Sequence, residues 1–191
     1  MRAIRIYVEG GGNGKGTKAA LRMGFQGFLK EFWEAARDRK FKLDIIACGD
    51  RRATEKGFEI ARSKRPRAFS ILLTDSDGPL APQCTRDRQR HFMVQIMESW
   101  LIADPAALED FYGQGFNANP VPSRRDVEAI DKGTVLSALE RATERTQKGK
   151  YHKTKHAPKL LKRVDPKVVC SRAPYCDRLF RILDERLKST P

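Results

Sequence analysis

The sequence lacks the features of a membrane-spanning or disulfide-linked protein. It contains no run of about eighteen apolar residues, the length that a transmembrane helix needs. Its start, MRAIRIYVEG, has neither the long apolar stretch nor the small-residue cleavage site of a signal peptide. Only four cysteines occur in 191 residues, and none forms a C-x-x-C pair, so neither a zinc site nor a disulfide framework is predicted. We therefore expect a soluble, cytoplasmic protein with reduced thiols and no membrane partner.

Acidic residues are scarce relative to basic ones. The chain has 38 Lys and Arg against 24 Asp and Glu, a formal net charge of +14. A field of this sign attracts polyanions and speeds their encounter with the protein. An anionic membrane surface would be an alternative, but no basic amphipathic helix with an aromatic face is evident. We expect nucleic acid, DNA or RNA, as the partner, although such a charge also occurs on merely soluble basic surfaces.

The first 112 residues alternate between short apolar runs and helical patterns. Hydrophobic residues make up 40% of the chain, enough to bury a core. Strands are predicted at residues 3–8, 42–48 and 68–74, and helices at 17–39, 51–63 and 98–112, the last with a cap at Asp104. Residues 91–97 fit either a fourth strand or the start of a helix. The β-α-β-α-β order predicts a parallel sheet with right-handed crossovers.

The last eighty residues have a different character. Residues 113–123 contain two glycines and two prolines, which predicts a long loop. Helices are predicted at residues 132–148, 155–163 and 173–188, separated by Gly149 and by Asp165-Pro166. The predicted organisation is therefore an α/β core over residues 1–112, which carries an acidic site, and a basic, mostly helical extension over residues 113–191 packed on that core.

Three carboxylates follow predicted strands. Asp75 and Asp77 come at the end of the third strand, where two residues separated by one share a face of the sheet. Glu9 comes directly after the first strand, and in parallel sheets the carboxyl ends of the strands share an edge, where sites are built. Hard oxygen ligands of this kind suit Mg²⁺ or Mn²⁺. The alternative is that Asp-Ser-Asp-Gly is only a turn, since these are common turn residues.

These acidic motifs resemble the signatures of a known domain. Val8-Glu9-Gly10 and Asp75-Ser76-Asp77-Gly78 resemble the two motifs of the Toprim domain of topoisomerases, bacterial primases and OLD-type nucleases. The resemblance implies a Toprim-like (Rossmann-like) α/β fold: a mostly parallel four-stranded sheet flanked by helices, here with a C-terminal helical extension. It also implies that Glu9, Asp75 and Asp77 bind metal and act catalytically on phosphodiesters or nucleotidyl groups.

A narrower resemblance covers nearly the whole chain. The stretches that carry it are IYVEGGG, ACGDR, DSDGP, MVQIMESWLIAD, FYGQGF and KGKYHK. In order and spacing they resemble the bacterial domain-of-unknown-function (DUF) 4276 family, Toprim-related proteins associated with AAA- or ABC-type ATPases in phage defence. The same resemblance makes Glu98 and Asp104 candidates for a further acidic contribution. A solvated helix face and a helix cap are the structural alternatives for these two residues.

A glycine-rich segment follows the first predicted strand. In the acidic-site interpretation its glycines let the backbone approach a metal, and Lys15 neutralises a scissile phosphate. The series Gly12, Gly14, Lys15, Gly16 and Thr17 also resembles the phosphate loop of adenylate-kinase-like enzymes, in which backbone N–H groups cradle phosphates. That motif requires glycine where this chain has Glu9, and a carboxylate would oppose phosphate oxygens.

Basic residues concentrate between Lys148 and His156. Lysines here suit contacts with a phosphate backbone, and an aromatic ring among them suits stacking on an unpaired base. Charge runs of this kind are otherwise solvated loops. The residues predicted to bind nucleic acid are Arg51, Arg52, Lys150, Tyr151, His152, Lys153 and Lys155. His152 and His156 have a helical metal-binding spacing but no third ligand nearby.

Three hypotheses about function follow from these patterns. The first is a nuclease subunit in which Mg²⁺ or Mn²⁺, held by Glu9, Asp75 and Asp77, activates water. Lys15 would add positive charge at the phosphate. The second is a non-catalytic module that binds nucleic acid or an ATPase partner. The third is a nucleotide kinase built on the glycine-rich loop.

Overall fold

The chain forms a four-stranded parallel sheet. The computed structural model describes residues 2–12 and 14–189, and the strands within those ranges are β1 Arg2–Glu9, β2 Phe41–Gly49, β3 Ala68–Asp75 and β4 Arg90–Met93. Their order is β2-β1-β3-β4, and each neighbouring pair is parallel. The predicted α/β fold class is confirmed. Of the two alternatives for residues 91–97, the strand is correct as far as Met93, and the next helix does not begin until Glu98.

Helices flank this sheet and make up most of the C-terminal part. They are α1 Lys15–Phe28, α2 Lys30–Asp38, α3 Arg51–Lys64, α4 Glu98–Ile102, α5 Pro105–Tyr112, α6 Lys132–Thr143, α7 Lys153–Leu161, α8 Pro166–Arg172 and α9 Pro174–Lys188. Among the described residues, no helix is long and apolar enough to cross a membrane.

Several helix boundaries differ from the sequence prediction, among them the following two. The helix predicted over residues 17–39 is interrupted at Leu29, which leaves helical geometry at φ −100° and ψ 21° between α1 and α2. Asp165-Pro166, predicted to separate helices, lies between α7 and α8 but also begins α8, a helix that the sequence prediction did not include. The Asp165 carboxylate caps this helix by accepting from the Lys167 N–H at 2.8 Å, and proline is favoured at a first helical position because its missing N–H has no partner there.

The two faces of the sheet are covered unequally. On β1, Ile4 and Ile6 point into the large core, and both are almost completely buried. Tyr7 points to the opposite face, where α3 covers it and the rings of Tyr7 and Phe58 meet edge to face at 6.4 Å. This alternation along one strand is what a sheet covered on both sides requires.

The C-terminal helices share the larger core with the sheet. Phe28 of α1 stacks on Trp100 of α4 with ring centroids 5.6 Å apart, and it also meets Phe180 of α9 edge to face at 5.5 Å. One cluster of buried apolar side chains extends from Ile4 to Leu187. The division of the chain at residue 112 stays a prediction, but apolar side chains on both sides of it pack together.

A close helix contact brings the C-terminal part to the carboxyl edge of the sheet. Helix α7 lies against α1, and a Cβ atom built on Gly24 would lie 2.7 Å from the backbone oxygen of Pro158. Only glycine permits this approach. The contact positions the start of α7, and therefore Lys153, beside the ends of β1 and β3.

Candidate functional site

The site lies where the central strands end. Glu9 is the last residue of β1 and Asp75 the last residue of β3. The two strands are parallel neighbours with Val8 opposite Leu73, so their carboxyl ends lie side by side. Glu98 begins α4, shortly after β4 on the other side of β3. Adjacent strand ends thus bring acidic side chains from separate parts of the sequence to one edge.

Arg51 links Glu9 to Asp77, which follows β3. It is the first residue of α3, and its Nε lies 3.3 Å from Glu9 Oε2 while its Nη2 lies 2.7 Å from Asp77 Oδ2. The same Nη2 donates to the backbone oxygen of Asp75. Lys132, which begins α6, approaches Asp77 from the other side, with Nζ 3.5 Å from Oδ1. The structure therefore places Glu9 and Asp77 around a shared guanidinium.

Asp75 and Asp77 point into different surroundings. The prediction of a common face assumed that the strand continues through Asp77, but β3 ends at Asp75 and Asp77 has a positive φ of 59°. The left-handed backbone turns its side chain outward, so that 53% of it is exposed against 13% for Asp75. Aspartate tolerates this conformation better than most residues. The interpretation of the pair as a same-face motif is therefore wrong.

Asp75 instead pairs with Glu98 across Lys153. The Lys153 ammonium lies 3.5 Å from Asp75 Oδ2 and 3.6 Å from Glu98 Oε2. The remaining oxygens are also bonded: Asp75 Oδ1 accepts from the Met97 N–H at 2.9 Å, and Glu98 Oε1 accepts from the Tyr151 hydroxyl at 2.8 Å. Glu98 is completely buried, so the alternative of a solvated helix face is wrong for this residue.

Burial dominates the electrostatics of Asp75 and Glu9. Removal from water raises the pKa of Asp75 to about 7, and the nearby Glu98 and Glu9 add to the effect while Lys153 opposes it. Burial also raises the pKa of Glu9, against the attraction of Arg51. Burial would lower the pKa of Lys153, but the Glu98 and Asp75 carboxylates outweigh it and raise that pKa. The carboxylates are thus held in a setting that favours a nearby positive charge.

A cavity of about 240 Å³ opens beside the acidic residues. Its lining combines carboxylates, an ammonium group, the glycine-rich loop and apolar side chains: Glu9, Gly10, Gly11, Gly12, Thr17, Leu21, Asp75, Met97, Lys153, Thr154 and Pro158. The Thr17 hydroxyl donates to the backbone oxygens of Gly11 and Gly14 and so closes the loop onto α1. Gly11 has a φ of 81°, and a Cβ there would lie 2.9 Å from the Lys18 Cα.

Part of the basic segment belongs to this site. Tyr151, predicted to stack on a base, is only 8% exposed, and its hydroxyl donates to Glu98, so in this conformation its ring has no free face. Lys153, predicted to contact a phosphate backbone, is paired with carboxylates. Lys150 and Lys155 are exposed, as a phosphate contact requires, and so is His152.

His156 has a structural position rather than that of a metal ligand. It is buried, and its Nδ1 lies 3.0 Å from the Tyr112 hydroxyl and 3.1 Å from the backbone nitrogen of His152. This ring nitrogen therefore contacts the Tyr112 hydroxyl and the backbone at the start of α7.

The remaining predicted residues lie outside the acidic contacts described above. Lys15 begins α1 with an exposed side chain, and Arg52 is exposed on α3. Asp104 caps α5: its oxygens accept from the Ala107 N–H at 3.2 Å and from the Asp165 N–H at 2.9 Å, so the cap alternative accounts for it. The cations that do meet the carboxylates are Arg51, Lys132 and Lys153. Lys132 has no motif in the sequence that would indicate its position.

The donor atoms suit a hard divalent cation in their chemistry. They are carboxylate oxygens, and Glu98 Oε2 is buried without a hydrogen-bond donor. As the side chains stand in residues 2–12 and 14–189, no three His, Cys, Asp or Glu groups gather closely enough to hold a metal ion. Arg51 and Lys153 lie between the carboxylates instead. A metal ion would therefore require a basic side chain to move away.

Comparison with known proteins identifies one family. The model of a family described as Domain of unknown function (DUF4276) matches residues 8–184. The matched range extends from β1 into α9, so it includes the carboxylates, the cations and the cavity described above. No match was found among curated proteins or among solved structures.

Proposed function

The chain belongs to the DUF4276 family, and since that description names no activity, we propose from the site itself that this protein is a metal-dependent nuclease subunit on a Toprim-like scaffold. The observation that carries the proposal is the gathering of carboxylates at one sheet edge, from β1, the end of β3, the loop after it and α4, beside a cavity. The formal charge of +14 supports a polyanionic substrate.

Different residues of the chain would bind the metal ion and the phosphate. Glu9, Asp75 and Asp77, with Glu98 as an additional ligand, would hold Mg²⁺ or Mn²⁺ once Asp77 turns inward and the basic side chains between the carboxylates move away. The ion would then supply stabilisation of phosphate charge and an activated water. Arg51 and Lys132 border Asp77 with partly exposed cationic groups, and these suit the non-bridging oxygens of a phosphate. Lys15, at the start of α1, would add charge farther along the substrate.

The partner side of the proposal rests on resemblance. The motifs resemble those of Toprim nucleases and of proteins that accompany AAA- or ABC-type ATPases in phage defence, which supports an ATPase partner for this chain. Lys150 and Lys155, exposed beside the site, would extend its contact with DNA or RNA.

A second candidate function is a module that binds nucleic acid or an ATPase without cleaving. It is favoured by the ion pairs of the site, because Arg51, Lys132 and Lys153 already pair with the carboxylates. Carboxylates paired in this way are compatible with a metal-free working protein.

Cleavage assays separate these candidates. DNA and RNA would be incubated with the protein and Mg²⁺ or Mn²⁺, alone and with a candidate ATPase. For the nuclease, Glu9→Gln and Asp75→Asn should each reduce the cleavage rate by at least about 100-fold, because a ligand set acts as a unit. Asp177→Asn is a matched control, since Asp177 lies on α9 in an exposed ion pair with Arg181, and it should cleave normally.

The other outcomes assign other functions. Cleavage that survives both Glu9→Gln and Asp75→Asn would exclude this site as catalytic. Binding without cleavage under every condition would favour the non-catalytic module. ATP turnover by this chain alone would favour the kinase alternative based on the glycine-rich loop. Circular dichroism of each variant would show whether a loss of activity reflects a loss of fold.

A further inference from the structure

The Lys153 side chain is half exposed and yet pairs with a buried carboxylate. Its ammonium lies between two carboxylates, 3.5 Å from Asp75 Oδ2 and 3.6 Å from Glu98 Oε2, although Glu98 is completely buried. The other oxygens of the pair accept from Met97 and Tyr151. The two oxygens that face Lys153 are therefore the ones left for a cation.

We propose that Asp75 and Glu98 form a divalent-cation site and that Lys153 is its built-in occupant, whose ammonium must leave before Mg²⁺ or Mn²⁺ can bind. This inference rests on the proposed function for its choice of ligand, but it concerns binding rather than cleavage. It gives Lys153 a role as the residue that sets the affinity of the site.

The physical basis is the cost of burying two like charges. A buried carboxylate pair repels itself unless a cation lies nearby, and Glu98 Oε2 accepts no hydrogen bond from the described residues. The Lys153 ammonium offsets the repulsion between the carboxylates with one positive charge, 3.5 and 3.6 Å from their oxygens. A divalent cation would offset it with two positive charges in direct contact with the same oxygens. The ammonium and the metal ion therefore compete for these oxygens.

The surroundings allow Lys153 to withdraw. It is the first residue of α7, and 52% of its side chain is exposed, whereas Tyr151 remains anchored inside on Glu98. Lys153 also lines the cavity beside the glycine-rich loop. Its displaced ammonium would remain within reach of a phosphate bound there.

Direct measurement of Mn²⁺ binding tests the competition. Electron paramagnetic resonance of free Mn²⁺ would give the Kd for the full chain, for Lys153→Met, for Lys153→Arg and for Lys155→Met. Lys153→Met should bind at least about tenfold more tightly than the unmodified protein, because the competing charge is gone. Lys153→Arg keeps the charge and should bind weakly. Lys155 is an exposed lysine on the same helix, and Lys155→Met should not change the Kd.

A second substitution tests the ligand set. Adding Glu98→Gln to Lys153→Met should reverse the gain in affinity, since one of the two carboxylates is lost. Equal Kd values for Lys153→Met and the unmodified protein would overturn the proposal. A gain that survives Glu98→Gln would overturn the assignment of Glu98.

The unmodified protein provides a test that does not depend on folding of a variant. Amine acetylation of Lys153, followed by peptide mass spectrometry, should accelerate when saturating Mn²⁺ displaces the ammonium, while acetylation of Lys155 stays constant. An unchanged rate at Lys153 with Mn²⁺ bound would contradict displacement. If Mn²⁺ binds and accelerates acetylation of Lys153 but the protein does not cleave, this inference is supported and the nuclease proposal is contradicted. If cleavage requires Mn²⁺ but the acetylation rate of Lys153 does not change, the nuclease proposal is supported and this inference is contradicted.

Discussion

At the scale of single residues, Glu128 shows what burial does to a carboxyl group outside the site. It lies in the loop before α6, almost completely buried. Oε1 accepts from the Trp100 Nε1–H at 3.0 Å, and Oε2 accepts from the Tyr175 N–H at 2.7 Å. Burial nevertheless raises the pKa of Glu128 to about 7, because two neutral donors do not replace the lost water.

This pKa predicts a pH-dependent stability. Below about pH 4.5, the ordinary pKa of the group, its contribution is complete. As pH rises through about 7 the folded state must bury a charge, and up to about 3 kcal/mol is lost. Glu128→Gln should remove this part of the slope, although losing one acceptor costs a roughly constant amount at every pH. Urea unfolding at pH 5, 6, 7 and 8 would measure the difference.

A matched control isolates the effect of burial. Glu140→Gln, at an exposed position of α6, should keep the slope of the unmodified protein. Parallel curves for Glu128→Gln and the unmodified protein would show that Glu128 titrates in the folded state as it does in the unfolded chain.

Some residues of the site could be predicted from the sequence and others could not. Glu9 and Asp75 could be placed because they end apolar strands, and parallel strands share their carboxyl edge. The direction of Asp77 could not, because its positive φ depends on how the turn meets Gln95, whose backbone oxygen accepts from the Asp77 N–H at 2.8 Å. The pairing of Lys153 with the carboxylates depends on the tertiary packing of α7, which no local sequence pattern predicts.

At the scale of elements, the packing of α1 on α7 depends on a glycine. Gly24→Ala should destabilise the protein by about 1–3 kcal/mol, because the new Cβ would meet the Pro158 backbone oxygen at 2.7 Å and backbone moves less readily than a side chain. The better helix propensity of alanine offsets up to about 1 kcal/mol of this. Thermal and urea denaturation would measure the change.

Gly16→Ala serves as the internal comparison for this prediction. Gly16 also lies in α1, but a Cβ there meets nothing within 4 Å. This substitution should be neutral or stabilise the protein by up to about 1 kcal/mol, because it improves helix propensity without a clash. Equal stabilities of the two variants would mean that α7 adjusts to Gly24→Ala without cost.

Strands were easier to predict than helix ends. Residues 68–74 are nearly all apolar, and β3 has two covered faces, so composition alone indicated a central strand. The break at Leu29 has no such signal, since apolar residues continue at helical spacing through it. Asp165-Pro166 was informative but ambiguous, because the same pair can end one helix and cap the next.

At the scale of the whole molecule, some of the basic residues that give the net charge of +14 are in ion pairs and others are exposed. Arg51, Lys132 and Lys153 are held in ion pairs with the acidic site, whereas Lys150 and Lys155 are exposed beside it. Composition predicts the net charge but not this division. The division arises because the C-terminal part reaches the sheet edge. The sequence predicted only that this part is an extension packed on the core.

The division predicts which lysines control binding to nucleic acid. Each phosphate contact that is lost should lower the slope of log K against log salt by about 0.7–0.9, because fewer counterions are released. In EDTA, Lys150→Gln with Lys155→Gln should therefore flatten the slope by about 1.4–1.8, by the same rule. Lys153→Met should leave it unchanged, since its charge is used by Asp75 and Glu98. Fluorescence anisotropy with DNA and RNA oligonucleotides across a KCl series would measure both. An unchanged slope in the double variant would mean that these two lysines do not contact phosphate, and a flatter slope in Lys153→Met would mean that its ammonium already faces the nucleic acid without a metal ion.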